Sequence, residues 1–211
     1  MKTLPVQEAV GTVLAHDITE IIPGQFKGRA FKKGHIITEA DIEHLRDLGK
    51  EHLYVMEIGG DELHENDAAM KLASALAGEG ITVSKDPREG KLELAAAYDG
   101  LLKVNVQALY HFNLLGEVMC ATRHTNTYVK KGEILAGTRA IPLIIRKKII
   151  EKAVAFCNEA GAVLHVLPLR KARVGVVITG NEVYYGRIKD RLRYVITRKV
   201  TEIGSSISDV R

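Results

Sequence analysis

The residues best suited to chemistry lie near the end of the chain. Thr179-Gly180-Asn181-Glu182 follows the apolar run Val174 to Ile178, and Gly186 and Asp190 come shortly after. A glycine at such a point lets the backbone approach a ligand or take a positive φ angle. A Thr hydroxyl and an Asn amide can donate to phosphate oxygens, while Glu182 can hold a cation or take a proton. Open α/β sheets place anionic ligands in loops at the carboxyl ends of parallel strands. Asp190 has a second role available, because a carboxylate just before a helix caps its first turn. The competing reading of the whole stretch is a tight surface loop with a capping Asp, and spacing alone does not choose between the two.

Charge adds an anionic partner to the possibilities. The chain has a net charge of +4, yet residues 170–199 carry nine Lys/Arg against Glu182 and Asp190, a local +7 that leaves the remainder at −3. A basic terminal segment on a near-neutral body attracts anions, and a solvated helix face is the equal alternative. Aromatics make up 5% of the chain and Trp is absent, which argues against stacking on single-stranded nucleic acid. Nucleic acid is therefore the least favoured partner. Cys120 and Cys157 are too few for a zinc cluster or a disulfide framework, and reduced cytoplasmic thiols are the simple reading. The opening Met1-Lys-Thr-Leu-Pro lacks the apolar core of a signal peptide, and no apolar run approaches the roughly 18 residues that span a bilayer. The expectation is a cytoplasmic protein without a membrane partner.

Other candidates are weaker. Cys120, His124 and His111 are scattered, so packing is favoured over metal binding. His16-Asp17 lacks the further His/Asp cluster of a metal phosphohydrolase. Lys27, Arg29, Lys32 and Lys33 read as a basic hairpin, more simply a lysine-protected edge than a phosphate or partner contact. There is no G-x-G-x-x-G and no Walker lysine loop, and Ser205, Ser206 and Ser208 have no placed His base.

Three units must position these residues. Residues 1–60 predict a strand at Val10–Asp17, a turn at Pro23-Gly24 and a basic hairpin over Arg29–Ile37 centred on Lys33-Gly34. A helix then opens at Thr38 with Asp41 reaching back, buries Ile42, Leu45 and Leu48, and stops at Gly49; a strand over His52–Ile58 follows. Residues 61–170 predict a helix at 66–77, a β-rich stretch from Ile81 to Arg139 read as a distorted barrel, and a short helix option at Ala108–Leu115. Pro142 is expected to open a long helix to Ala160, ahead of a strand at Ala162–Leu167. Residues 171–211 predict a strand, the functional loop, and a helix over 191–203 with Leu192, Ile196, Val200 and Ile203 inward. The fold class is thus an α+β amino-terminal part with a barrel-like β-rich subdomain, followed by the start of an α/β domain.

Two stretches together resemble a known family. Val174-Gly-Val-Val-Ile-Thr-Gly-Asn-Glu-Val183, with Gly186 and Asp190, is similar to the opening of the molybdopterin-binding domain shared by molybdopterin adenylyltransferases and molybdopterin molybdenumtransferases. Ala9-Val-Gly-Thr-Val-Leu-Ala-His-Asp-Ile18 looks like the start of the molybdenumtransferases. Together the two matches cover roughly 50 residues in the right order. The resemblance implies a protein of molybdenum-cofactor biosynthesis that binds molybdopterin or its adenylylated form, with Mg2+ and molybdate. Thr179, Gly180, Asn181 and Gly186 would then line the anion site, and Arg187, Lys189 and Arg191 would attract the phosphate. Glu182 and Asp190 would be the catalytic and metal-binding acids. A homo-oligomer and other molybdenum-cofactor proteins are the implied partners.

The sequence departs from the family at Asn181, where Asp is usual. The later Gly-Gly-x-(Ser/Thr)-x-Gly loop and the Pro-Gly-x-Pro segment are absent. The 40 residues after Lys171 fall short of the roughly 100–150 of a typical domain, so the expectation is a cofactor domain cut early and no catalysis by this chain alone. The alternative function is a non-catalytic interaction or dimerisation module built from residues 1–170.

Overall fold

A computed structural model describes residues 2–22 and 25–211. Strand β1 (Lys2–Pro5) leads into a short 3-10 turn, followed by β2 (Val13–Leu14), β3 (Ile18–Ile22) and β4 (Phe26–Phe31). Helix α1 (Asp41–Asp47) and β5 (His52–Met56) complete the first unit. β5 lies between β1 and β2, antiparallel to both, and β3 pairs with β4 as an antiparallel hairpin. Val6, Leu14, Ile18, Phe31, Ile37, Leu45, Leu53 and Val55 form one buried cluster beneath these elements.

The amino-terminal expectations are met in part. Asp41 reaches back as anticipated: its Oδ2 accepts from the Thr38 amide at 2.8 Å and the Thr38 hydroxyl at 2.7 Å, and lies 2.8 Å from His35 Nε2. Burial alone would raise the Asp41 pKa, but the bonds from His35 and Thr38 outweigh it and hold the carboxyl below its ordinary range. The regular helix starts at Asp41, three residues later than expected, with Leu45 buried and Gly49 (φ 73°) ending it. No hairpin is centred on Lys33-Gly34. β4 ends at Phe31 and pairs backwards with β3, and Gly34, at φ 87°, turns the chain so that its amide donates to Leu14 O. The strand expected over Val10–Asp17 contracts to Val13–Leu14, and the turn expected at Pro23-Gly24 lies outside the described residues.

The second unit begins with β6 (Glu62–His64) and α2 (Glu65–Leu76). It continues through β7 (Ile81–Val83), β8 (Lys91–Ala96), β9 (Gly100–Val104), α3 (Val106–Asn113), β10 (Val118–Thr122), β11 (Thr127–Val129) and β12 (Ile134–Ala140). β13 (Ile144–Arg146), α4 (Lys147–Glu159) and β14 (Leu164–Pro168) close it. Ala68, Ala69, Leu72, Ala73 and Leu76 recur at helical spacing and are fully buried, and the small alanines let α2 sit close on β8, β12 and α4. Two antiparallel sheets share this core, in the orders β10-β12-β8-β7 and β11-β9-β14.

The barrel-like subdomain is not what forms. Among the described residues the strands make open sheets, because β8 hands over at Asp99-Gly100 to β9, which pairs with β11 and β14 instead of closing the first sheet. The helix expected from Pro142 begins only at Lys147. Ile144–Arg146 are held extended by antiparallel pairing with β6, and the buried helical stripe becomes Ile150, Ala153 and Cys157.

The third unit is β15 (Arg173–Val176), a one-turn helix α5 (Asn181–Tyr184), α6 (Leu192–Glu202) and β16 (Ser206–Val210), with β16 parallel to β15. Of the four α6 residues expected inward, Ile196 and Val200 are half-buried while Leu192 and Ile203 are exposed. The two strands of this unit offer too little surface to cover the helix. No described helix is long and apolar enough to cross a membrane.

Candidate functional site

The Thr179–Asp190 loop leaves the carboxyl end of β15. Gly180 has φ 148° and ψ 121°, and a Cβ built on it would lie 2.8 Å from Glu182 Oε1. The positive φ favours glycine here, and the exposed Glu182 carboxylate folds back beside it. The Gly180 carbonyl accepts from the amides of Val183 and Tyr184, opening α5, and the Glu182 carbonyl accepts from Arg187 and Ile188. Gly186, at φ 66°, makes the turn between these bonds. Asp190 Oδ1 accepts from the Arg193 amide at 3.1 Å, so this carboxylate caps α6. The Arg187 guanidinium lies 5.6 Å from the Tyr185 ring centre, while Lys189 and Arg191 are exposed. Thr179, Asn181 and Glu182 face solvent, and no residue from Val177 to Gly204 is buried. Among the described residues, no three His, Cys, Asp or Glu side chains converge as a metal-ligating group.

A second constellation lies between the first two units. A cleft of about 550 Å³ opens beside the turn after β4, lined by the cations Arg29, Lys32, Lys33 and Arg139, the acids Asp17, Glu65 and Glu89, and the apolar residues Met56, Ile141, Pro142 and Leu143. An adjoining hollow shares Lys32, Lys33, Glu65 and Glu89 and adds Arg88. Glu65, the first residue of α2, lies at the floor with its side chain 5% exposed. Its amide donates to Leu143 O at 2.8 Å, and Oε2 lies 3.5 Å from Arg139 Nη2.

Two glycines close against the Glu65 carboxylate. A Cβ on Gly34 would stand 3.0 Å from Oε1, and one on Gly90 (φ 69°) would stand 2.6 Å from Oε2. The preceding His64 bridges the units, its Nε2 lying 2.8 Å from Gly34 O. Burial pushes the Glu65 pKa up, and the charges of Arg139 and His64 offset this only in part. Asp17 behaves oppositely: the Lys33 amide bonds it at 2.7 Å, and with the Arg29 guanidinium holds its pKa below the ordinary value despite some desolvation. Lys32 pairs with Glu89 at 3.3 Å, whereas the Lys33 ammonium pairs with no carboxylate among the described residues.

Of these residues, only the basic cluster at 29–33 and His16-Asp17 stand out in the local sequence, and a lysine-protected edge and a turn account for them there. Glu65 and Arg139 carry no local signal, because their proximity depends on β13 pairing with β6 across 80 residues of chain. Cys120 and Cys157 are both buried in the second core. Desolvation pushes their thiols up to about 12 and about 11, which suits packing and not metal binding.

Residues 3–57 match a family described as a domain of unknown function, DUF8806. The matched segment coincides with the β1–β5 unit, about a quarter of the chain. No curated protein and no solved structure matches the chain.

Proposed function

We propose that this chain is a molybdopterin-binding protein of molybdenum-cofactor biosynthesis, of the molybdenumtransferase type. One observation carries the reading: the Thr179–Glu182 loop leaves a strand that is paired in parallel with β16 and returns to it through α6, the setting in which α/β proteins bind anionic cofactors. The residues present fit the phosphate end of such a ligand. Gly180 adds no side chain to block a phosphate once the exposed Glu182 carboxylate beside it turns outward, the exposed Thr179 hydroxyl and Asn181 amide can donate to phosphate oxygens, and Arg187, Lys189 and Arg191 supply positive charge. Glu182 is free to meet a Mg2+ ion. Asp190 keeps Oδ2 for the same purpose while Oδ1 caps α6. The pterin, when bound, supplies the dithiolene sulfurs that take up the metal, with molybdate as the substrate. The contribution proposed for this chain is to hold and orient the phosphate.

Anaerobic calorimetric titration with molybdopterin and its adenylylated form tests the reading. Saturable binding that Gly180→Val abolishes and Glu182→Ala weakens in the presence of Mg2+ is the expected result. Absence of binding, or binding indifferent to Gly180→Val, would refute it.

A second reading, an interaction or dimerisation module built from residues 1–170, is favoured by one specific observation. Both hydrophobic clusters lie wholly within residues 6–166, while the third unit buries only Val176 and Ser205. Light scattering and pull-down with residues 1–170 test it: a specific partner or a dimer retained without the third unit supports the module.

A further inference from the structure

We propose that the cleft between the first two units binds a small phosphate monoester. Lys33, Arg139 and Arg29 would hold the phosphate, and Met56 and Ile141–Leu143 would carry an apolar or aromatic body. This site is independent of the Thr179–Asp190 loop.

The argument begins with charge. Arg29 and the Lys32-Lys33 pair belong to β4 and its following turn, Arg139 to β12 and Arg88 to the turn before β8. The fold thus gathers five cations from segments far apart in sequence and faces them with three carboxylates. Two of those carboxylates are committed, Asp17 to Arg29 at 3.3 Å and Glu89 to Lys32 at 3.3 Å. The third, Glu65, is buried and meets Arg139 through a single contact, Oε2 to Nη2 at 3.5 Å. Five cations thus face three carboxylates, with Lys33 and Arg88 in no ion pair among the described residues, and a dianion supplies the missing charge.

The shape narrows the ligand. A volume of about 550 Å³ falls within the range of small-molecule sites and is too confined for a nucleic-acid duplex or a lipid surface. A planar guanidinium with a nearby point-charge ammonium suits a tetrahedral anion with several oxygens better than a single carboxylate. Ala15, Met56, Ile141, Pro142 and Leu143 add apolar surface to the lining, which a bare inorganic ion would not use. Glu65 acts as a positioning residue. Gly34 and Gly90 leave room for its buried carboxylate, where a Cβ at either would crowd it, and Oε2 lies 3.5 Å from the Arg139 guanidinium that it orients.

Amide-detected NMR titration of the full chain with phenyl phosphate tests the proposal, with inorganic phosphate and benzoate as comparators. Saturable shifts are expected at Lys33, Gly34, Gly90 and Leu143, with a dissociation constant on the order of 1 mM for so small a probe. Phenyl phosphate should bind about tenfold more tightly than either comparator, reflecting the apolar lining and the dianionic head. Lys33→Gln and Arg139→Gln should each weaken binding about tenfold. Lys33→Gln carries the decision, since its ammonium has no ion-pair partner whose loss would disturb folding, and an otherwise unchanged spectrum verifies that. Glu182→Ala should have no effect. The proposal is overturned if phenyl phosphate gives no saturable shift, if its shifts map to residues 179–190, if it binds no better than the comparators, or if Lys33→Gln binds as well as the parent.

Discussion

Replacing Gly90 with alanine probes the floor of the cleft in a way that separates backbone strain from crowding. Gly90 has φ 69°, a conformation that costs an alanine about 1–2 kcal/mol. The added methyl would also stand 2.6 Å from Glu65 Oε2 and 2.7 Å from Cδ, roughly 1 Å inside a normal contact distance. Turning the carboxylate away would not relieve the clash, because the new methyl would also stand 2.9 Å from Glu65 Cβ. Overpacking of this kind adds about 1–3 kcal/mol, for a total of about 2–5 kcal/mol. Gly132→Ala is the matched control: it lies in the same unit at φ 82° with nothing within 4 Å of the new Cβ, and should lose only about 1–2 kcal/mol. Urea unfolding of both variants, with unchanged denaturant slopes, reads the difference. A Gly90→Ala midpoint no lower than that of Gly132→Ala would show that the Glu65 side chain does not fill the space beside Gly90.

Three further outcomes follow from the same geometry. Folding raises the Glu65 pKa from 4.5, so the folded state binds that proton more tightly; stability should fall as pH rises from 4.5 through the folded pKa, and Glu65→Gln should remove that slope in unfolding curves taken across the window. A Glu65→Gln profile that still declines in parallel with the parent assigns the slope to another group. Asp190→Ala should lose about 0.5–2 kcal/mol of local α6 stability, seen as faster hydrogen exchange at the Arg193 amide without a shift in the unfolding of the second unit. Unchanged exchange there would remove its capping role. Cys120 and Cys157 should resist a thiol reagent at neutral pH until the chain unfolds, and rapid native labelling would contradict their burial and raised pKa values.

The features that could be read from sequence were those whose causes are local. α2 lies within one residue of its expected span because its apolar stripe and the glycines at 78 and 80 are contained in the segment. The cap formed by Asp41 on Thr38 is likewise a three-residue affair. Ile144-Ile145-Arg146 failed as a helix start because the apolar pattern suits strand or helix equally, and pairing with β6 decides it. Leu192 and Ile203 have the right spacing for a buried stripe, but spacing cannot report whether anything lies opposite. Glu65 is the sharpest case. At the head of a helix it looks like an ordinary first-turn acid, and only the approach of β12 and the two glycine turns makes it a buried carboxylate.

The β6–β13 pairing also dictates an order of assembly. β1 to β5 satisfy their sheet pairings among residues 2–56, so this unit can form while the rest of the chain is still being synthesised. β6 must wait for residues 144–146, and the bond from the Glu65 amide to Leu143 waits with it. Lys33 and Arg29 are therefore in place early, whereas the wall and floor that face them arrive only after most of the second unit has been made. In pulse-labelled refolding, protection at the Glu65 amide should lag behind protection at Leu53 and Val55.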